Sequence, residues 1–151
     1  GAQVGLLYVL VTEQQLRLMG SYAHRHRKNL NSEFAIGEGI VGQVALEKEM
    51  IVLSELPDDY VRVHSGTGDA APRELIVVPL VLNGEVRGVV ELGSVRCFEE
   101  KHIELLTLVA ENIAAVEAIS RDCREVAALV ERAELLELIE RHHDTEQQHR
   151  P

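Results

Sequence analysis

Apolar residues in the first two thirds of the chain form short runs with the length and period of β-strands. Val4 to Val11 is an almost continuous apolar run, and Gln15 to Tyr22 alternates between apolar and polar residues. Together they predict an antiparallel hairpin. Glu74 to Leu82 and Glu85 to Leu92 predict a second hairpin, because Asn83-Gly84 between them tolerates the positive φ of a tight turn. Simple alternation places Val86, Gly88, Val90 and Leu92 on one side of its second strand, and Arg87, Val89 and Glu91 on the other.

The stretch from Phe34 to Lys48 reads F-A-I-G-E-G-I-V-G-Q-V-A-L-E-K and predicts an extended segment that turns into a helix ending by Glu49. Gly37-x-Gly39-x-x-Gly42 has the spacing of a dinucleotide-binding fingerprint, but that motif needs a preceding buried strand and a longer helix. We therefore interpret it as a packing motif, in which two glycines permit positive φ and Gly42 lets the helix approach the sheet closely.

A long helix is predicted at the end of the chain, because Glu99 to Arg150 contains neither Gly nor Pro. Its first part is expected to pack on the sheet through Ile103, Leu106, Val109, Ala110 and Ile113. Farther along, apolar positions recur at heptad spacing, which predicts a parallel homodimer through Val116, Ile119, Cys123, Val126 and Val130. An exposed stripe or antiparallel pairing is the alternative. Arg141 to Pro151 is polar, and we expect it to be disordered.

Composition narrows the possible functions. A net charge of −10 argues against binding nucleic acid or an anionic membrane surface, and no apolar run approaches the roughly 20 residues of a membrane span. Cys97 and Cys123 are expected to lie about 35 Å apart along the helix, too far for a disulfide, which favours a reducing, cytoplasmic compartment. His24 to Lys28 is a basic segment interpreted as a solvated loop, and no metal site is predicted.

Several motifs in order resemble a GAF domain, and most of all the cytoplasmic GAF module of bacterial hybrid sensor histidine kinases. They are the Phe34 stretch, I-V-L-S-E-L-P-D-D-Y, S-G-T-G, V-V-P-L and N-G-E-V-R-G-V-V-E-L. The resemblance covers Gly1 to Ser120. It implies an α+β fold with a central antiparallel sheet of about six strands, helices on one face and a ligand pocket on the other. Residues 121–151 would form a signalling helix and a polar tail, and the family's N-terminal helix is missing, as in an excised fragment.

The resemblance places a pocket beside the segment that follows Pro57. Tyr60, Val63 and His64 are expected on one helical face there, so Tyr60 and His64 are candidate ligand contacts, together with Phe34. Glu91 is a fourth candidate, as a buried carboxylate that could bind an amine or hydroxyl of a ligand, although a surface-facing glutamate is the favoured interpretation. No particular ligand or cofactor is implied.

The leading hypothesis is a non-catalytic sensor domain of a bacterial two-component protein, a histidine kinase, that couples a small-molecule pocket to a dimeric output helix. One alternative is a structural dimerisation module with an empty pocket. Another is a redox enzyme on the same fold, such as a free methionine sulfoxide reductase. That chemistry needs a nucleophilic cysteine with a resolving partner close by, so no catalytic residue is assigned.

Overall fold

The computed structural model describes residues 2–23, 32–54, 56, 63–65 and 68–148, and for residues 63–65, 68–70, 131 and 133–148 it describes the backbone alone. Two helices and eight strands occur in the described residues, and their order is β1 (Val4–Thr12), β2 (Gln15–Tyr22), β3 (Glu33–Ala35), α1 (Gly39–Glu47), β4 (Ile51–Ser54), β5 (Val63–Ser65), β6 (Gly68–Ala70), β7 (Glu74–Leu82), β8 (Glu85–Ser94) and α2 (Glu100–Gln148). The basic segment His24 to Lys28, Pro57 and Tyr60 lie outside the described residues.

Six strands form one antiparallel sheet in the order β3-β2-β1-β8-β7-β4. The two predicted hairpins are both present, and they meet where β1 pairs with β8 at the centre of the sheet. These central strands carry the long apolar runs, as expected for strands that are covered on both faces. The α+β fold predicted from the sequence is confirmed.

The turn between β7 and β8 has the predicted geometry. Asn83 and Gly84 have φ values of 53° and 79°, the left-handed conformation that a two-residue hairpin turn requires. The register then shifts between Leu80 and Val81, so that Arg87 has no partner across the ladder. Because of this bulge Val86 and Val89 join the same core cluster, and the simple alternation that placed them on opposite sides was wrong.

Each face of the sheet has its own apolar core. The α1 face is the side on which α1 packs, and its buried side chains are Leu6, Tyr8, Leu16, Val41, Val44, Ala45, Leu75, Val77, Val86 and Val89. The opposite side, the α2 face, is covered by the first turns of α2, and its buried side chains are Ile76, Val78, Leu80, Ala110 and Ala114. The sheet therefore lies between two helical layers.

The Phe34 stretch folds as predicted, with β3 followed by a turn and the nine-residue helix α1. Gly37 and Gly39 have positive φ. A Cβ atom on Gly42 would collide with the carbonyl oxygen of Ala35, so this position accepts no side chain. The turn also uses its own amides: Gly37 N donates to Gly42 O at 2.8 Å, and Glu38 N donates to Ala35 O at 3.0 Å. These amides are not free to bind a phosphate, which supports the packing interpretation.

The segment around His64 is a strand, and the predicted helical face was wrong. Val63–Ser65 pairs antiparallel with Gly68–Ala70, with His64 opposite Asp69. A β-branched residue before two glycines suits a tight hairpin better than a helix. This two-stranded sheet is separate from the six-stranded one.

The described chain divides into two compact units, Gly1–Ala115 and Val116–Pro151. In the first unit α2 begins at Glu100, and its inward positions differ from the prediction. Ala114 is fully buried, whereas Val109 and Ile113 are each 37% exposed. Small alanines allow the helix to lie close to the sheet, and the larger side chains turn outwards as a result.

The second unit consists of the remainder of α2, which extends to Gln148, beyond the predicted start of disorder at Arg141. No helix breaker occurs in this region, so the helical hydrogen bonds can continue. Glu117 and Arg124 form a salt bridge of 3.0 Å on its surface. Among the described residues, no helix is both long and apolar enough to cross a membrane.

Candidate functional site

Glu91 is a buried carboxylic acid near the middle of β8. Its side chain is 4% exposed, which overturns the expectation that it faces the surface. Antiparallel pairing places Glu91 opposite Leu6 of β1 and Val77 of β7. Directly paired residues project to the same side of a sheet, so Glu91 lies on the α1 face with Leu6 and Val77.

Apolar side chains surround this carboxyl group. Its neighbours on the α1 face are the two residues directly paired with it, Val89 two positions before it in β8, and the residues diagonal to it on β1 and β7. Six of these seven neighbours have an exposed fraction of 3% or less, and they are Val4, Leu6, Tyr8, Leu75, Val77 and Val89. The seventh, Pro79 of β7, is partly exposed. Among these neighbours, Tyr8 alone has a polar atom in its side chain, so none of them provides a positive charge to Glu91.

Burial controls the electrostatics of Glu91. Loss of solvation raises its pKa to about 7, because a low-dielectric environment disfavours the charged form. Within the described residues, no hydrogen-bond donor or positive charge pairs with the carboxylate. Buried polar groups are usually paired with a partner, and perturbed acids without one are candidates for functional sites. Glu91 is therefore the strongest candidate for a ligand-binding residue.

Phe34 lies on the same face, at the edge of the sheet. Its ring packs edge-on against the ring of Tyr8, with 5.5 Å between the ring centroids. Strand β3, which carries Phe34, is held to β2 by Glu33, whose carboxylate accepts hydrogen bonds from Arg17 at 2.8 Å and Gln15 at 2.7 Å. The structure thus brings two of the predicted candidates, Phe34 and Glu91, to one face of the sheet, with Tyr8 between their strands.

The other two predicted candidates cannot be placed as side chains. Tyr60 lies outside the described residues, and for His64 the backbone alone is described, in β5. Tyr8 was not predicted as a site residue. Its signal in the sequence is weak, because it is one aromatic residue in an apolar strand, and its proximity to Glu91 depends on the pairing of β1 with β8.

A groove of about 300 Å³ lies on the opposite side of the sheet, between the β7–β8 hairpin and α2. Its charged groups are Lys48 and Glu111, and Thr107 adds a hydroxyl. The ammonium group of Lys48 already donates to the carbonyl oxygen of Gly84 at 2.6 Å. This groove is a weaker candidate than the Glu91 face, because its cation has a partner within the fold.

Both cysteines are free and exposed. The thiol of Cys97 donates a hydrogen bond to the carboxylate of Glu74, which raises the pKa of Cys97. A nucleophilic cysteine needs the opposite, a lowered pKa that favours the thiolate. Glu74 also accepts a hydrogen bond from Phe98 N at 2.6 Å, and this bond lowers the pKa of Glu74. The pair therefore fits a structural contact at the end of β8. Among the described residues there is no cluster of metal-binding side chains.

Six antiparallel strands between a short helix and a long one define the class of this protein as a small α+β domain with a single central sheet. A family model described as GAF domain matches residues 1–116. The chain belongs to the GAF domain family. A comparison with curated proteins gave no match.

Solved structures share this fold. The GAF domain of a phosphoenolpyruvate-protein phosphotransferase from Coxiella burnetii has a TM-score of 0.64 at 21% identity, over 80% of this chain and 74% of that one. The GAF-B domain of DevS from Mycobacterium smegmatis has a TM-score of 0.62 at 20% identity, over 83% and 87%. A type II free methionine-R-sulfoxide reductase from Thermoplasma acidophilum has a TM-score of 0.56 at 19% identity, over 77% and 79%. At these identities the likeness concerns the fold.

Proposed function

We propose that this chain is a non-catalytic sensor domain of a bacterial signal-transduction protein, a histidine kinase acting in the cytoplasm. In this proposal a small molecule binds on the α1 face, and α2 carries the response to an output domain as part of a parallel homodimer. Family membership supports a regulatory role, and the likeness to a DevS domain supports a sensor context. The two free cysteines are consistent with a reducing compartment.

The observation that carries the proposal is the exposed apolar seam of α2. At heptad spacing the helix presents four β-branched side chains that are each at least half exposed, and Cys123 between them is exposed as well; the four are Val116, Ile119, Val126 and Val130. An apolar seam of this kind is stabilised when a second helix covers it, and the partner of stated chemistry is the same helix of another copy.

Coupling requires that ligand binding and the helix pair favour the same state of the protein. A bias of about 1 to 3 kcal/mol would be typical of such coupling. Glu91 supports a ligand rather than an empty pocket, because a carboxyl group buried among apolar side chains has a cost that a purely structural module need not bear.

The redox alternative is disfavoured by the chemistry of Cys97. A reductase on this fold would need an activated thiolate, and the hydrogen bond to Glu74 acts in the opposite direction. The likeness to methionine sulfoxide reductases therefore supports the shared fold and not a shared reaction.

Mass measurement of the native protein tests the dimer. Val126→Glu introduces a charge into the seam and should convert a dimer into a monomer, weakening association by more than tenfold. Ala128→Glu is the matched control, since Ala128 is exposed and lies two positions along on the opposite side of the heptad. A monomeric wild type, or a Val126→Glu variant that dimerises as well as Ala128→Glu, would refute the role given to α2.

A further inference from the structure

We propose that the carboxyl group of Glu91, beside the ring of Tyr8, forms the recognition site for a small organic cation, an amine carried on an apolar body. This inference rests on the proposed function, because it names the chemical class of the ligand for the α1 face. The two residues lie on neighbouring strands, since Tyr8 pairs with Val89 and Glu91 is two residues farther along β8. Diagonal neighbours of this kind are about 7 to 8 Å apart, a span that one ligand can bridge.

The apolar side chains around Glu91 determine that the part of the ligand beyond its polar group is hydrophobic. Leu6, Val77 and Val89 border the carboxyl group and are all buried, and Phe34 extends the apolar surface beyond Tyr8. A strongly polar ligand would lose its hydration here without replacement, whereas an alkyl or aryl group would gain from burial. The site therefore favours a ligand with one polar group and a hydrophobic remainder.

The carboxyl group determines the polar end of the ligand. Within the described residues Glu91 has no donor of its own, so a ligand with N–H donors satisfies it. A pair between an ammonium and a carboxylate is stronger than a hydrogen bond between neutral groups. Anionic ligands are disfavoured, since they would meet a buried carboxylate in a protein of net charge −10. The same charge attracts cations to the protein.

Proton balance distinguishes a cation from a neutral ligand. Without ligand the Glu91 carboxyl is about half protonated near neutral pH, as its raised pKa implies. An ammonium ligand keeps its own protons in this range and binds the ionised carboxylate, so the carboxyl proton is released to solvent. A neutral acceptor, such as a carbonyl group, would instead bind the protonated acid and cause proton uptake.

Among the described side chains around Glu91, the Glu91 carboxyl itself is the group that exchanges this proton when a ligand binds. Tyr8 is the other titratable side chain among them, while β7 contributes Leu75 and Val77 and α1 contributes apolar residues to the α1 face. The sign of proton exchange on binding therefore reports on the Glu91 carboxyl.

The test uses benzylammonium as the probe, with benzyl alcohol and benzoate as matched neutral and anionic analogues. Binding to the whole chain is measured at pH 7.5 by isothermal titration calorimetry in two buffers of different ionisation enthalpy. We expect benzylammonium to bind at least tenfold more tightly than either analogue, with net release of roughly a quarter of a proton per ligand, because a carboxyl with a pKa of about 7 is only partly protonated at pH 7.5. Its affinity should rise roughly tenfold between pH 6 and pH 8, following ionisation of the carboxyl.

Glu91→Gln keeps the size of the side chain and removes its charge, so it should weaken benzylammonium binding by at least tenfold and abolish the pH dependence. Glu104→Gln, at an exposed position of α2, is the control and should change neither. Equal binding of all three probes, wild-type affinity in Glu91→Gln, or no binding of benzylammonium at millimolar concentration would overturn the inference. The dimer test with Val126→Glu is independent of these outcomes, so a failure of the ligand class is distinguishable from a failure of the proposed function.

Discussion

Replacing Glu91 by glutamine should remove a large pH dependence from the stability of this domain. Burial raises the pKa of Glu91 from about 4.5 to about 7 in the folded protein, so between these values the folded state binds more protons than the unfolded state. Stability from this group is therefore fully present below pH 4.5 and is lost as the pH rises through 7. At 1.36 kcal/mol per pKa unit the complete effect is about 3 kcal/mol.

Chemical denaturation at a series of pH values measures this effect. As the pH rises from 5 to 8, the free energy of unfolding of the wild type should fall by about 2 to 3 kcal/mol relative to that of Glu91→Gln. This difference corresponds to roughly 5 to 10 °C in Tm for a chain of this size. The comparison between the two proteins cancels the titration of the exposed acids. Glu104→Gln should follow the wild-type curve. Parallel curves for wild type and Glu91→Gln would show that the carboxyl group is solvated or paired, and the reasoning would fail.

Three further predictions concern the glycines and the free thiol. Gly42→Ala should lower the free energy of unfolding by roughly 1 to 3 kcal/mol, measured by thermal unfolding, because its methyl group meets the Ala35 carbonyl. Gly20→Ala is the control and should differ little from wild type, since no atom lies within 4 Å of the added carbon. Gly84→Ala should cost about 1 kcal/mol, since φ is 79° in open space; no loss would mean that the turn relaxes. The wild type should not reduce free methionine sulfoxide with dithiothreitol as reductant, and an activity that Cys97→Ser abolishes would contradict the non-catalytic assignment.

Local patterns predicted much of the fold. Asn83-Gly84 and the flanking apolar runs indicated the β7–β8 hairpin, and the absence of glycine and proline indicated the long helix α2. These signals are local, because turn type and helix continuity depend on the conformations that neighbouring residues allow. The resemblance to GAF domains added the family and its antiparallel sheet of about six strands, and the family match and the observed six-stranded sheet confirmed both.

The predictions from the sequence were wrong where the pairing of distant strands decides which side of the sheet a residue faces. Val86 changes sides because of a bulge opposite Leu80 and Val81, and period-two alternation has no means of detecting a bulge. Glu91 was predicted to face solvent, because charged residues are rarely buried without a partner. That rule describes stable folds in general, and exceptions to it concentrate at functional sites, which is why the error itself points to the site.

A structural role for Glu91 can be separated from a ligand-binding role by replacing it with methionine. If the carboxyl group serves the fold, its loss should destabilise the protein. If it serves a ligand, an apolar side chain of similar length should pack against Leu6 and Val77 and remove the cost of burying a charge. We expect Glu91→Met to be more stable than wild type at pH 8, by up to about 3 kcal/mol, with little difference at pH 5.

The result at pH 8 is decisive, because the wild-type carboxyl is mostly ionised there. A gain in stability together with loss of benzylammonium binding would mean that the protein retains a destabilising residue for recognition, as functional sites commonly do. A loss of stability at pH 8 would mean that the carboxylate has a structural partner, and the binding role proposed for it would have to be abandoned.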